Sequence, residues 1–202
     1  MRELLSEKMI GAEVSPYTLN QVVFEKSAPG KYTINIDKGI FEVSICGAGV
    51  GGGGSATSHS WFGSNGGSGA AFKGLIKFAK TTLKITIGKG GAGGLASGKN
   101  TSAGTNGLLS SIFQGSTNII SAGAGNGRYG TGNGAGTNNG NGGTLTIGNA
   151  DSVSEIIKSN GVKSSTVSIL GNGYGAGGAY RASNSGTNGQ NGYVKILFKR
   201  SK

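Results

Sequence analysis

Much of what protein chemistry usually draws on is scarce in this sequence. Cysteine occurs once, at Cys46, and histidine once, at His59, so there is no disulfide framework and no cysteine-based zinc site. Only 2 residues are proline, which excludes collagen even though 43 of the 202 residues are glycine. No segment approaches the ~18 apolar residues of a membrane span. Residues 1–8, MRELLSEK, lack the apolar centre of a signal peptide. Membrane insertion is therefore not expected, and synthesis and folding in a cytoplasm are. Acids are missing from the whole stretch between Ser44 and Ala150.

That last gap decides the reading of VSICGAGVGGGG, residues 43–54. Gly47, Gly49 and Gly52 carry the G-x-G-x-x-G spacing of a dinucleotide-binding turn. The motif works only when a helix follows to hold the pyrophosphate and an acid about 20 residues on takes the ribose. Here a run of serine, threonine and glycine follows, with no acid. Nucleotide binding is excluded, and the glycines need another explanation.

The formal net charge is +11. Lys73, Lys77, Lys80, Lys84, Lys89, Lys99 and Arg128 lie in the acid-free stretch, a distribution that attracts polyanions. Spaced lysines on the outer faces of strands also serve solubility and edge protection, and either reading fits.

Regular alternation predicts strands at Gln21–Phe24, Tyr32–Ile36, Phe41–Ile45, Thr82–Ile87 and Tyr193–Lys199. Weaker patterns occur at Ala70–Phe78, Gly107–Phe113, Asn118–Ser121, Leu145–Ile147 and Thr166–Leu170. Residues 20–46 read as antiparallel strands joined by tight turns, and DSVSEIIK, from Asp151 on, as a short helix with an acidic first turn. Glycines recur three apart at Gly63, Gly66 and Gly69, at Gly88, Gly91 and Gly94, and at Gly186, Gly189 and Gly192. Polyproline II has about three residues per turn and no internal hydrogen bonds. One glycine per turn would let such helices approach until their backbones pair. The many Asn-Gly dipeptides support the competing model, a set of irregular turns. The fold class expected is all-β: an antiparallel β-sandwich with glycine-rich layers, including packed polyproline II segments. Residues 1–28 are expected to be an attachment segment and 29–202 a glycine-rich β domain.

Taken together, YTINIDKGIFEVSICGAGVGGGG, GGSGAAFKGLIKF, LKITIGKGGAGG, SAGAGNGRYG and GTNGQNGYVKILF resemble the glycine-rich domains of bacteriophage tail fibres and related virion appendages. The resemblance covers roughly residues 29–199. It extends to adhesins at the tips of some T-even-type tail fibres, in which packed polyproline II helices present receptor-binding loops. Long uninterrupted glycine runs are lacking here beyond Gly51–Gly54, and more regular strand sequence is present. The resemblance implies a virion protein, made in the host cytoplasm, that recognises a bacterial cell-surface receptor, either a glycan or an outer-surface protein. It implies contacts with other virion proteins through the N-terminal segment. The many backbone groups in the glycine runs raise the further expectation of a homotrimer. A purely structural role, as a head fibre, decoration or spacer, is the alternative, and nucleic-acid or other polyanion binding comes third.

Catalysis is not expected. His59 beside Trp61 reads as a packing residue, and Asp151 with Glu155 as helix-start acids, so no catalytic set, metal site or cofactor emerges. Among the small residues of the glycine runs the large side chains stand out: Trp61, Phe62, Arg128, Tyr129, Tyr174, Tyr180 and Arg181. Aromatic rings give rigid contact area, and the two arginines suit phosphate or carboxylate groups of an envelope glycan. These seven are the candidate receptor-binding residues.

Overall fold

A computed structural model describes residues 15–54, 65–97, 100–126, 140–163, 165–179 and 185–200. All regular structure in it is β: β1 (Val22–Lys26), β2 (Gly30–Ile36), β3 (Gly39–Cys46), β4 (Ala71–Phe78), β5 (Thr81–Ile87), β6 (Ala96–Ser97), β7 (Asn100–Thr101), β8 (Ser110–Gln114), β9 (Thr117–Ala122), β10 (Leu145–Ile147), β11 (Ser152–Ser159) and β12 (Tyr193–Arg200). Two five-stranded sheets form, ordered β1-β12-β3-β4-β11 and β10-β9-β8-β5-β2, and β6 with β7 makes a small ribbon. Every pairing is antiparallel.

The period-2 alternation explains the sandwich. Phe41, Val43 and Ile45 of β3, Phe72 and Ile76 of β4, and Val194, Ile196 and Phe198 of β12 turn inward from the first sheet. They meet Leu83, Ile85 and Ile87 of β5, Ile112 of β8 and Ile120 of β9 from the second. Tyr17 closes one end of this core, its ring 5.8 Å from Phe41 and 5.3 Å from Phe198. At about 25 cal/mol per Å² of apolar surface removed from water, this packing is the main stabilising term of the sandwich.

Three expectations are corrected. Strands β1, β2 and β3 do not pair with one another as hairpins: β2 pairs β5 in the second sheet, while β1 and β3 flank β12 in the first. The short Asp37–Lys38 link between β2 and β3 crosses from one sheet to the other, so a tight turn here is a corner. The DSVSEIIK stretch is the edge strand β11, not a helix. Its pairing with β4 shifts register between Ser152 and Ser154 and again between Glu155 and Ile157, and each irregularity breaks the alternation that would have marked a strand. Residues 166–170 form no strand; they belong to a loop in which Ser168 is buried and Val167 exposed. Strand β1, within the stretch expected to serve attachment, is hydrogen-bonded along β12.

The outer face of the first sheet carries Glu25 and Glu42. Glu42 lies 3.4 Å from both Lys73 and Lys199, and Glu25 lies 3.1 Å from Lys195. Asp37, Asp151 and Glu155 pair with Lys80, Lys77 and Lys158. Such exposed pairs contribute about 0–1 kcal/mol each. The second sheet's outer face carries Lys31 and Lys84 and no described acid, so the excess positive charge is unevenly spread.

Candidate binding site

At one end of the sandwich the strands run on into extended glycine-rich segments. β3 continues as 47–54, β5 as 88–95 and β9 as 123–126, while 66–70, 102–109, 140–144 and 185–192 lead back into β4, β8, β10 and β12. The 47–54 segment lies at the centre. Gly47 and Val50 donate their amides to the carbonyls of Ala70 and Gly67; Ala48, Gly51 and Gly54 donate to Leu108, Thr105 and Ser102; Gly49 and Gly52 donate to Gln190 and Thr187. Successive residues thus address three different neighbours, and each neighbour is met again after three residues. The carbonyls of Gly49 and Gly52 accept from Gly91 and Gly94, that of Val50 from Gly178 and that of Ala48 from Gly125. Six segments therefore surround the central one.

This three-residue period, with all bonds made between segments, is the packing of polyproline II helices. It resolves the two models in favour of packed helices. The outer helices follow the same rule: Gly186, Gly189 and Gly192 donate to Gly94, Gly91 and Gly88, the glycines whose spacing marked them in the sequence. Glycine is required by close approach. A Cβ on Gly51 would overlap the Ala92 carbonyl, and one on Gly49 the Ala176 carbonyl. Many backbone groups of the glycine runs find their partners within the one chain.

Amides facing away from the lattice are met by polar side chains. Gly90 and Gly93 donate to Oδ1 of Asn191 and Asn188, and Ala92 and Leu95 donate to the hydroxyls of Thr105 and Ser102. Asn188 with Asn191, and Ser102 with Thr105, are themselves three apart, a signal present in the sequence but hidden by reading Asn-Gly as a turn.

The bundle has a near end, at the sheets, and a far end about 25 Å away, since 47–54 rises about 3.1 Å per residue. The chain leaves the described bundle at Gly54, Asn126 and Ala179, each heading away from the sheets, and re-enters at Asn65, Gly140 and Ser185; Gly54 bonds Ser102, Asn126 bonds Asn141 and Ala179 bonds Thr187. Trp61 and Phe62 belong in sequence to the first of these connections, Arg128 and Tyr129 to the second, Tyr180 and Arg181 to the third. All six, and His59, lie outside the described residues.

Tyr174 is described, and it sits apart from those connections, near the sheets. Its ring stacks on Tyr193 with centroids 4.9 Å apart and planes 4° from parallel. Beneath the pair are Cys46 and Ala71, flanked by Ile169 and Leu170 of the 165–174 loop. The Tyr193 hydroxyl donates to Glu25 at 2.5 Å. That bond, with the Lys195 ammonium beside it, holds the Glu25 carboxyl below its usual range. Burial raises the Tyr193 phenol, helped by the carboxylate it faces. Burial also pushes the Cys46 thiol up to about 12, so at neutral pH it is an unreactive thiol.

The glycine-rich domain family matches residues 26–199. The chain belongs to that family. No curated protein matches it. In this glycine-rich domain the matched span takes in the second sheet, the whole described bundle and the first sheet apart from residues 22–25 of β1 and Arg200 of β12. Asp151, just before the edge strand, and Glu155, within it, bond to separate lysines, Lys77 and Lys158. Among the described residues no three His, Cys, Asp or Glu side chains come together as a metal site would require.

Proposed function

We propose that this glycine-rich domain is a non-enzymatic bacteriophage virion protein, a tail-fibre or appendage component that binds a receptor on the surface of a host bacterium. The observation that carries the reading is the polarity of the molecule. β3 runs toward the bundle, so its partner β12 runs away and ends at Arg200 on the opposite side, where β1 begins at Val22. Residues joined to the N-terminal segment therefore sit at one end of the molecule. The bundle extends from the sheets toward the other, and the chain leaves it at Gly54, Asn126 and Ala179 heading away from the sheets. Such a body suits attachment to other virion proteins at the sheet end and receptor contact at the bundle end, since loops between anchored segments tolerate change better than the segments themselves.

The test is binding of fluorescently labelled protein to a panel of intact bacteria, with Trp61→Ala, Tyr129→Ala and Tyr180→Ala in parallel. Saturable binding to a narrow set of strains, weakened about tenfold or more by at least one variant, is expected, since aromatic anchors dominate such contacts. Absence of binding to every strain would leave a structural spacer. Weak binding to all strains that salt abolishes would point to a polyanion sink driven by the net charge.

A further inference from the structure

A groove of about 500 Å³ runs along the flank of the bundle, between the 165–174 loop and the helices 175–179 and 185–192. Its volume falls in the ~300–1,000 Å³ range of small-ligand sites. From Tyr174 to Ala179 it extends roughly 15 Å, at about 3.1 Å per residue. The small residues Ala176, Gly177 and Ala179 line it, together with Thr166, Asn172, Tyr174, Thr187, Asn188 and Gln190. Among the described residues no charged side chain lines it.

The wall amides are asymmetrically used. Asn188 Oδ1 is occupied by the Gly93 amide at 2.8 Å, and Asn172 Oδ1 by the Tyr174 amide at 3.2 Å and the Ser168 hydroxyl at 3.1 Å. With their oxygens turned to the protein, both side chains keep two N–H donors that meet no partner among the described residues. Gln190, also exposed, has both its donors and its acceptor free among the described residues. Tyr174 is fixed in orientation by its stack on Tyr193, which Glu25 anchors in turn. Gly171, Gly173 and Gly175 take φ of 71°, 83° and 72°, and this left-handed run is what folds Asn172 and Tyr174 onto the groove.

We infer that the groove is a binding site for a short neutral saccharide. The chemistry is that of hydroxyl recognition: preset amide donors, an amide with both donor and acceptor, and an immobile aromatic wall against which the apolar face of a sugar ring packs. A phosphate or a nucleic acid requires cations, and the lining has none among the described residues. The inference deepens the receptor-binding reading by naming a receptor class, and rests on that reading only for the source of the sugar.

The experiment is a titration of the isotopically labelled protein with neutral mono- and disaccharides of glucose, galactose and N-acetylglucosamine. The side-chain amide signals of Asn172, Asn188 and Gln190 are the readout. Saturable shifts confined to these amides and to the Tyr174 ring are expected. Asn188→Asp keeps the oxygen that holds Gly93 and deletes the N–H donors, and Gln190→Ala removes a side chain with no described partner. Each is expected to weaken binding about tenfold, as the loss of one well-made hydrogen bond does. An unchanged Gly93 amide signal certifies the fold of the first. No saturable shift with any of these sugars, or equal affinity in the double variant, overturns the inference. The double variant is also taken through the whole-cell assay. If cells are bound equally well by it while no sugar binds the groove, the groove fails and the receptor reading stands. If sugars bind the groove and no strain is bound, the groove stands and the receptor reading fails.

Discussion

The sandwich and the bundle are two cores built on opposite rules. In the sandwich, side chains such as Phe41, Phe72 and Ile85 are hidden and water is excluded by their bulk. In the bundle the backbone is hidden, and what excludes water is the absence of side chains. Burying apolar area supplies the sandwich's stability. The bundle buries little of it. Each of its residues loses about 1–2 kcal/mol of backbone entropy on ordering, glycine the most, against about 0.5–1.5 kcal/mol net for each hydrogen bond formed. A bundle of this size has too small a margin to stand alone. It inherits its register instead: Cys46 pairs Ala71 across β3 and β4, and the next amide, Gly47, continues to Ala70. The apolar core is therefore the foundation, and the glycine lattice is an extension that tolerates change only on its outer surface and in its connections.

The sharpest way to break this contrast is to add an atom to one core and remove several from the other. Gly51→Ala places a methyl in the Ala92 carbonyl and displaces the helix that bonds Thr105. Because the obstruction is backbone on both sides, it is expected to cost more than about 4 kcal/mol, beyond ordinary overpacking. Phe41→Ala removes a fully buried ring and is expected to cost about 3–5 kcal/mol. Urea unfolding of both variants measures this. If Gly51→Ala is less destabilising than Phe41→Ala, the lattice is looser than its packing implies.

A second comparison separates close approach from backbone conformation. Gly115, in the turn between β8 and β9, has φ of +62° and open space where a Cβ would stand. Gly115→Ala is expected to cost about 1–2 kcal/mol, the penalty of the left-handed region for a residue with a Cβ. Gly115→Asn should recover most of that, since asparagine tolerates the conformation. Thermal melts of the two variants test the point. A loss as large as that of Gly51→Ala would mean that glycine's freedom, not its slimness, governs the whole chain.

The sequence makes the two cores legible to different degrees. Alternation at Phe41-Val43-Ile45 and Leu83-Ile85-Ile87 announces the sandwich, because one face of each strand is buried. The three-residue spacing of Gly88-Gly91-Gly94 announces the helices, because one edge in each turn meets another backbone. Which strand pairs with which was not readable between β1 and β3, since a corner and a hairpin use the same turn residues. Register shifts hid β11 behind a helix-like spacing of acids. For the candidate site, bulk amid small residues pointed to Tyr174, but the free amides of Asn172 and Asn188 follow from where their oxygens bond, which no local pattern records.

The smallest effect is read at the joint between the cores. Cys46 is the last residue of β3, and burial under the 165–174 loop raises its thiol from 9.0 to about 12, while the adjacent Tyr193 phenol is raised as well. A group whose folded pKa lies above its unfolded value lends stability that is complete below the unfolded pKa and is lost as pH rises toward the folded one. Stability should therefore begin to fall above pH 9.0 and keep falling toward about 12. The share from Cys46 is roughly 1 kcal/mol at about pH 9.5. Melts of the protein and of Cys46→Ala across this window should show a shallower alkaline decline in the variant. The thiol also reports whether the two cores open together. If bundle and sandwich form one cooperative unit, alkylation of Cys46 at neutral pH should proceed at the rate set by global unfolding; faster labelling would show that the lattice and its covering loop open while the sandwich stays closed.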